Sequence, residues 1–251
     1  MTSLHRLLVP SETLMSRTPG LSGEAARHVR ALRPREGERF EFFDGAGRAR
    51  TYRYEKGAFF ADGEARTFSR GQGPTVTLFA CVTKGSRWDW TVEKAVELGA
   101  DRIVPVISAR TIVRIPKAER PAKRERWMRI AEDAARQSDA VFLPRIEEAI
   151  DFGDSLALAA ASRCFVGALT NPPPPAILAA VMSMPAEPPA SNDVSVFIGP
   201  EGDFTPEELD ALLKVAEPVS LGPTILRAET AAIFALSVLV AARVGGGGAR
   251  L

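Results

Sequence analysis

The sequence predicts an α/β protein in which a small β-rich domain precedes a larger domain built on a parallel sheet. Three observations support this prediction. Short β-like runs punctuated by glycines fill residues 40–61, which is typical of a small barrel. After residue 74, strand-like and helix-like segments alternate, which indicates a parallel sheet. Turn residues at 70–74 separate the two regions, so we expect one domain at 1–72 and another at 73–251.

The β-like runs of the first domain lie at 40–44, 51–54 and 58–61. This region carries thirteen Lys and Arg against nine Asp and Glu, a net charge of +4, and twelve of its cations are arginines. The planar fork of arginine suits phosphates and base edges better than the lysine ammonium does. The charge therefore fits either an RNA-binding surface or an ordinary solvated one.

The second domain shows strand patterns at 75–82, 102–107, 164–168, 194–198 and 219–221, and helix patterns at 89–98, 122–138 and 228–244. A further helix is expected after Thr205, because Thr-Pro-Glu-Glu at 205–208 places a cap, a first-turn proline and a capping-box glutamate in order. Helix 89–98 ends at Gly99, a residue typical of helix C-termini.

Composition excludes several classes of protein. The 251 residues are 45% hydrophobic and 25% charged, which argues against disordered and fibrous chains. The net charge of +1 combines +4 on the first domain with −3 on the second, where nineteen cations face twenty-two anions. Near-neutrality therefore does not exclude nucleic acid. The longest apolar stretch, 231–242, is too short for a membrane span, and we expect a soluble cytoplasmic protein.

Missing motifs exclude several chemistries. No phosphate-binding P-loop, dinucleotide-binding glycine pattern or nucleophile elbow occurs, so a nucleotidase, a Rossmann oxidoreductase and an α/β-hydrolase are disfavoured. The only histidines, His5 and His28, lie in the small domain. Cys81 and Cys164 each lie in an apolar run and form no zinc pattern, so we expect buried thiols and no metal.

Two glycine-bearing loops follow predicted strands at 198–204 and 221–231. Their glycines permit close backbone approach, and the second loop adds apolar residues, Arg227 and Glu229. Ligands in α/β sheets bind beyond the carboxyl ends of strands. The loops therefore fit either a pocket for a flat, mostly apolar ligand or two ordinary connections.

These loops read GPEGDF at 199–204 and LGPTILRAETA at 221–231, and together they resemble the SPOUT methyltransferases. Within that class, the chain is similar to the bacterial 16S ribosomal RNA uridine N3-methyltransferase family over about residues 1–240. Further segments match the family in order, at 28–33, 84–85, 93–99, 103–105, 126–127 and 134–138.

The resemblance implies a PUA-like RNA-binding barrel followed by an α/β domain with a deep trefoil knot. It implies S-adenosylmethionine as the methyl donor, a homodimer, and 16S rRNA in the small ribosomal subunit as the partner. The last helix, at 233–240, and helix 89–98 are the candidate dimer surface. The implied cofactor residues are Leu169, Thr170, Gly199, Pro200, Glu201, Gly202, Leu221, Gly222, Ile225, Leu226, Thr230 and Ala231.

Methylation at uridine N3 requires loss of the N3 proton and stabilisation of the resulting anion. Arg227 is the main candidate for that stabilisation, and Glu229 is the second catalytic candidate. The alternative for Arg227 is a structural ion pair with Glu229 or Glu201. The proton acceptor stays open between a glutamate, water and hydroxide. Candidate RNA-binding residues are Arg30, Arg33, Arg110, Arg114, Lys123 and Arg124.

The sequence departs from the family pattern at Asp203, Thr224, Ala228 and the pair Asp139-Ala140. Two of these departures remove arginines that are usual in the family. Two alternatives therefore stay open: a related SPOUT enzyme with another RNA target, and a catalytically inactive RNA-binding protein of the same fold.

Overall fold

The computed structural model describes residues 4–70, 73–184 and 193–246. The chain forms two compact units. The first contains residues up to Arg70 together with Glu132–Leu143, and the second contains the rest of the chain. The expected boundary lies at 72/73, and residues 71 and 72 fall outside the described residues.

The first unit is a mixed five-stranded sheet with two short helices. Strands β1 and β2 pair in parallel, and β3 pairs antiparallel with β2, β4 and β5. All three predicted β-like runs fall on strands. The elements are β1 (His5–Leu8), α1 (Ser11–Met15), α2 (Gly23–Leu32), β2 (Arg39–Phe43), β3 (Arg48–Glu55), β4 (Ala58–Ala61) and β5 (Arg66–Thr67).

Aromatic side chains build the core of this unit. Phe42 stacks on Tyr52 with ring centroids 4.4 Å apart, and Phe59 meets the edges of Phe40 and Phe42. These rings alternate with outward-facing residues along β2, β3 and β4, as the pleat of a half-buried sheet requires. The Tyr52 hydroxyl donates to the Ser16 carbonyl at 2.9 Å, which ties α1 to the sheet.

The segment Glu132–Leu143 packs with the first unit, although the predicted second domain includes it. Buried Arg6 explains this grouping. Its Nη1 donates to the carbonyls of Ala135 at 2.6 Å and Ala140 at 3.1 Å, and its Nε donates to Glu41 at 2.8 Å. These bonds give Nε and Nη1 acceptors and so offset part of the cost of burying the guanidinium, while Nη2 has no hydrogen-bond partner among the described residues. The sequence gives no local sign of a link over so long a separation.

The second unit is a parallel sheet flanked by helices, as predicted. Its strand order is β12-β10-β11-β6-β7-β8, with β9 also beside β7, and every pair is parallel. The elements are β6 (Val76–Cys81), α3 (Ser86–Glu97), β7 (Arg102–Ile107), α4 (Arg120–Gln137, whose last turns belong to the first unit), β8 (Arg145–Ile146), β9 (Ile150–Asp151), α5 (Phe152–Ala159), β10 (Arg163–Gly167), α6 (Ile177–Met182), β11 (Val194–Ile198), α7 (Pro206–Leu212), β12 (Glu217–Val219) and α8 (Ala228–Gly246).

The sheet of this unit is buried on both faces. All residues of β6 and β11 are buried, and Phe79 stacks on Phe197 with centroids 4.5 Å apart. Helix α8 packs against α3 and the central strands. Strands covered on both faces have nearly continuous hydrophobic sequences, which is why 102–107 and 194–198 are recognisable from the sequence.

Candidate active site

A cavity of about 540 Å³ lies beyond the carboxyl ends of the neighbouring strands β12, β10 and β11. Three connections form it: residues 167–169 at the end of β10, 198–201 and 203 at the end of β11, and 220–222 and 224–228 between β12 and α8. Arg87 on α3 and Ala231 on α8 complete the wall. The position agrees with the general rule for ligand sites in parallel α/β sheets.

Glycines let the three connections approach one another closely. A Cβ atom at Gly167 would lie 2.9 Å from Leu221 Cδ1, and one at Gly199 would lie 3.2 Å from the ring of Phe204. Gly222 has φ of +130°, a conformation that side-chain-bearing residues rarely adopt. Larger residues at these positions would therefore change the shape of the cavity wall.

The cavity wall contains two arginines with different partners. Arg87 Nη2 lies 3.0 Å from Glu201 Oε1, so these two charges neutralise each other. Arg227 is exposed, and no carboxylate among the described residues pairs with it. The alternative interpretation of Arg227, an ion pair with Glu201 or Glu229, is therefore wrong for this structure. Its guanidinium stays available to a ligand.

The loop after β11 is held by hydrogen bonds from a second loop. Arg110 Nη1 donates to the carbonyls of Gly202 at 3.0 Å and Phe204 at 3.3 Å. Glu208 accepts from the Ala109 amide at 2.8 Å, while Thr205 and Glu208 form the predicted capping box of α7. These contacts fix the loop before any ligand binds, which lowers the entropy cost of binding.

Asp203 stands where the family pattern has glycine, and it keeps a glycine-like backbone. Its φ is +58°, in the left-handed region that aspartate and asparagine tolerate better than most residues. Its Oδ1 accepts a hydrogen bond from the Phe204 amide at 2.8 Å. This departure therefore preserves the path of the loop, while adding a carboxylate to the cavity wall.

Nine of the twelve predicted cofactor residues line the cavity: Leu169, Gly199, Pro200, Glu201, Leu221, Gly222, Ile225, Leu226 and Ala231. Thr170, Gly202 and Thr230 do not. The Thr170 hydroxyl donates to the Pro172 carbonyl at 2.9 Å within its own loop. The Gly202 carbonyl accepts from Arg110, and Thr230 is exposed on α8.

Glu229 does not line the cavity, in contrast to its expected catalytic role. Its side chain is 8% exposed, and its Oε2 has no hydrogen-bond partner in the described parts of the chain. Glu229 lies in the first turn of α8 and its carboxyl is buried in the protein. Arg227, just before this turn, and Ala231 line the cavity. The position of Glu229 therefore does not support its predicted catalytic role.

The six predicted RNA-binding residues have different surroundings. Arg30, Arg33 and Lys123 are exposed, and within the described ranges none has a side-chain hydrogen bond or ion pair. Arg114 Nη2 donates to the Ala109 carbonyl at 3.3 Å, and Arg124 Nε donates to the Ile146 carbonyl at 2.7 Å. Arg110 supports the cavity loop, so its guanidinium has a structural role that the sequence did not indicate.

Sequence reasoning missed several lining residues, above all Arg87, Ile198 and Asp203. Ile198 and Asp203 lie in the loop already identified, so only their orientation was missing. Arg87 comes from a different part of the chain. Its one sequence signal is its position at the start of a helix that follows a buried strand, the same strand-to-helix context as the other two loops.

Both cysteines are free and buried, as expected. Burial raises the pKa of each thiol to about 12. Across the residues that the structure describes, no group of three or more His, Cys, Asp and Glu side chains is arranged to hold a metal ion. No helix in the described part of the chain combines the length and apolarity needed to cross a bilayer.

Comparison with known proteins identifies relatives along nearly the whole chain. The family model of the RNA methyltransferase domain matches residues 71–240. Ribosomal RNA small subunit methyltransferase E of Synechocystis is 30% identical over 246 residues, covering 93% of this chain and 76% of that protein. The Bacillus subtilis protein of the same name is 32% identical over 166 residues, covering 65% of this chain and 64% of that protein.

Solved structures show the same architecture. The crystal structure of a ribosomal RNA small subunit methyltransferase E from Neisseria gonorrhoeae, bound to S-adenosyl methionine, superposes with a TM-score of 0.79 at 26% identity. It covers 94% of this chain and 96% of that chain. A Legionella pneumophila methyltransferase with bound cofactor SAM superposes with a TM-score of 0.78 at 30% identity, covering 95% and 98%.

A parallel sheet with a cavity beyond β12, β10 and β11, together with these matches, defines an RNA methyltransferase domain of the SPOUT class. The chain belongs to the ribosomal RNA small subunit methyltransferase E family. The resemblance derived from the two glycine-bearing loops is thereby confirmed.

The cavity residues fit S-adenosylmethionine, a flat nucleoside joined to a charged sulfonium amino acid. Leu169, Ile198, Leu221, Ile225 and Leu226 supply apolar surface for a base. Asp203 places a carboxylate in the same wall, where positive charge on a ligand is favoured, while Glu201 is paired with Arg87. The cavity volume of about 540 Å³ lies in the usual range for sites that bind ligands of this size.

Proposed function

We propose that this protein uses S-adenosylmethionine to methylate N3 of a specific uridine in the 16S rRNA of the small ribosomal subunit. Family membership and the SAM-bound structural relatives support rRNA methylation with this donor. The single observation that supports the reaction at this site is Arg227. It lies in the wall of a cavity suited to the donor, and its guanidinium has no carboxylate partner among the described residues.

Bound S-adenosylmethionine supplies an electrophilic methyl group on its sulfonium. The protein then has two tasks: to hold the target base in line with that methyl, and to stabilise the base once N3 has lost its proton. Arg227 performs the second task, because a fixed positive charge beside the uracil carbonyls favours the deprotonated base. Glu229 lies outside the cavity, so the candidate proton acceptors are water, hydroxide and the two carboxylates of the cavity wall, Glu201 and Asp203.

The loops of the cavity position the base. The bonds from Arg110 and the Arg87–Glu201 salt bridge hold the loop after β11 in place. A target base in folded RNA must leave its stack to enter such a cavity. Ile225 is a large apolar side chain at the cavity wall that is 82% exposed, and it offers a surface against which an extruded base packs.

RNA binding and pairing of two chains belong to the same proposal. Arg30, Arg33 and Lys123 carry exposed charges with no protein partner among the described residues, as phosphate contacts require. Trp90 on α3 and Phe234 on α8 are exposed on helices that pack together. These exposed apolar side chains support a homodimer formed through α3 and α8.

The decisive experiment incubates the protein with labelled S-adenosylmethionine and 30S subunits that lack the modification, in parallel with free 16S rRNA. Nucleoside mass spectrometry then identifies the modified base. We expect 3-methyluridine at one position, with the assembled subunit as the better substrate. Methylation of another nucleoside or another RNA indicates a related SPOUT activity. Failure to bind S-adenosylmethionine indicates an inactive RNA-binding protein.

A further inference from the structure

A second cleft, of about 330 Å³, lies at the opposite edge of the sheet from the cavity. It is lined by Arg102 of β7, Arg124 of α4, Arg145 of β8, Ile150 of β9, Leu158 of α5, and the two glutamates between β8 and β9, Glu147 and Glu148. Strands β11 and β8 are three strand spacings apart, about 14 Å. The cleft is therefore separate from the cavity that binds the methyl donor.

Residues 145–147 organise all three arginines. Arg102 and Arg145 are register neighbours on the parallel strands β7 and β8. Arg102 Nε donates to Glu147 Oε1 at 2.8 Å, and Arg145 Nε forms an ion pair with the same oxygen at 2.7 Å. Arg124 Nε donates to the Ile146 carbonyl at 2.7 Å. A three-residue stretch thus holds three guanidiniums around one cleft.

The charges of the cleft are incompletely balanced. Three guanidiniums face two carboxylates, and a single oxygen of Glu147 serves two of the arginines. The terminal nitrogens of Arg124 and Arg145 make no hydrogen bond to any described residue. The Arg145 side chain is 71% exposed, whereas Glu147 is 17% exposed. Arg124 and Arg145 are each held at Nε, while their Nη atoms remain available as donors. Planar guanidiniums in this state match the oxygens of a phosphate group.

We propose that this cleft binds a backbone phosphodiester of the RNA substrate, away from the methylated base. The proposal rests on the proposed function, since it takes RNA as the partner. A phosphate contact carries no sequence information, but it sets how the RNA lies on the protein. An anchor at the far edge of the sheet restricts the orientations in which a base reaches the cavity.

The test compares Arg145→Gln with Lys214→Gln, which also removes one exposed charge from the second unit but lies outside the cleft. Binding of 16S rRNA is measured across a series of salt concentrations. The slope of log K against log salt is negative, and we expect Arg145→Gln to reduce its magnitude by about 1. The same substitution should weaken binding about tenfold near 0.1 M salt. Lys214→Gln keeps the wild-type slope. Arg145→Lys keeps most of the slope, because charge drives counterion release.

Two further readouts separate this proposal from others. Affinity for S-adenosylmethionine and thermal stability stay at wild-type values in Arg145→Gln, because the residue contacts neither the cavity nor the core. Equal slopes for wild type and Arg145→Gln overturn the proposal. Loss of inorganic phosphate binding with unchanged RNA binding also overturns it, in favour of a free anion. This test measures binding of rRNA. It is therefore independent of the methylation assay, which tests whether uridine N3 is the target.

Discussion

Arg87 on α3 and Glu201 in the loop after β11 form a salt bridge of 3.0 Å in the wall of the cavity. The pair joins residues that are far apart in the chain and neutralises one of the two arginines of the cavity. Arg227 is then the guanidinium of this wall that has no carboxylate partner among the described residues. The two arginines therefore predict different effects when replaced.

Replacement of Arg227 should affect turnover and little else. Arg227→Ala removes the charge that stabilises the deprotonated base, and loss of one such donor costs about 10²–10³ in kcat. The variant should fold and bind S-adenosylmethionine like the wild type, because Arg227 is exposed and has no protein partner in the described structure. Calorimetric titration with the cofactor and methylation of 30S subunits measure the two effects. Unchanged methylation would remove Arg227 from the mechanism.

Replacement of Arg87 should affect cofactor binding first. Arg87→Ala and Glu201→Ala each loosen the loop after β11, so the Kd for S-adenosylmethionine should rise several-fold. Because the pair is partly exposed, we expect a coupling free energy of only about 0.5–1 kcal/mol in a double-mutant cycle. The cycle is measured by urea unfolding. Strictly additive effects of the two single variants would show that the salt bridge does not hold the loop.

The glycine-like backbone at Asp203 predicts an order of stabilities. Asp203→Ala keeps a side chain at φ of +58° and loses the bond to the Phe204 amide, whereas Asp203→Gly loses the bond but relieves the backbone. Asp203→Ala should therefore be less stable than Asp203→Gly by about 1 kcal/mol. Thermal unfolding measures the difference. The reverse order would mean that the backbone at this position is unstrained.

Arg33 allows the stability of the first unit to be separated from RNA binding. It ends α2 with φ of +51°, a position where glycine is preferred. Arg33→Gly should raise the free energy of unfolding by up to about 1 kcal/mol. It should also reduce the magnitude of the slope of log K against log salt for rRNA binding by about 1.

Lys56→Gly is the matched control for Arg33→Gly. Lys56 is also exposed, carries one positive charge and has φ of +52°, but it lies in the turn between β3 and β4. It should gain similar stability and keep the wild-type salt slope. Equal loss of RNA binding in both variants would mean that Arg33 contributes only its positive charge and makes no specific contact with the RNA.

The two thiols provide a simple check of the core. With their pKa raised to about 12 by burial, Cys81 and Cys164 remain protonated at pH 8 and are shielded from solvent. A thiol reagent at that pH should label none in the native protein and both after denaturation. Rapid labelling of the native protein would show that one of these strands opens readily.

The sequence predicts most of the second unit because its strands are covered on both faces and its caps are local. The predicted limits of β7 and β11 match the structure, and so does the capping box at Thr205. Strands β8 and β9 have two residues each, too few for any periodic pattern, so the arginine cleft beside β8 was not predicted. The trefoil knot stays a prediction of the resemblance.

The residues of the candidate active site fall into the same two groups, those with a local sequence signal and those without one. Residues within the two glycine-bearing loops are predictable because strand, glycine and helix start lie together in the chain. Arg87 reaches the cavity only through packing of α3, and Glu229 leaves it only because of the rotation of α8. The start of a helix after a buried strand is the one sequence signal for Arg87, and it does not fix how α3 packs. Glu229 has no such signal, so both assignments follow only from the three-dimensional structure.

The link between Arg6 and the segment Glu132–Leu143 has a consequence for biosynthesis. The carbonyls that accept from Arg6 Nη1 belong to residues 129 and 134 positions later in the chain. A ribosome that has made only the five-stranded sheet has therefore not yet made everything the first unit needs. Until more than half of the polypeptide has been synthesised, Arg6 lacks these two acceptors. Completion of the first unit is thus coupled in time to the emergence of the first strands of the methyltransferase sheet.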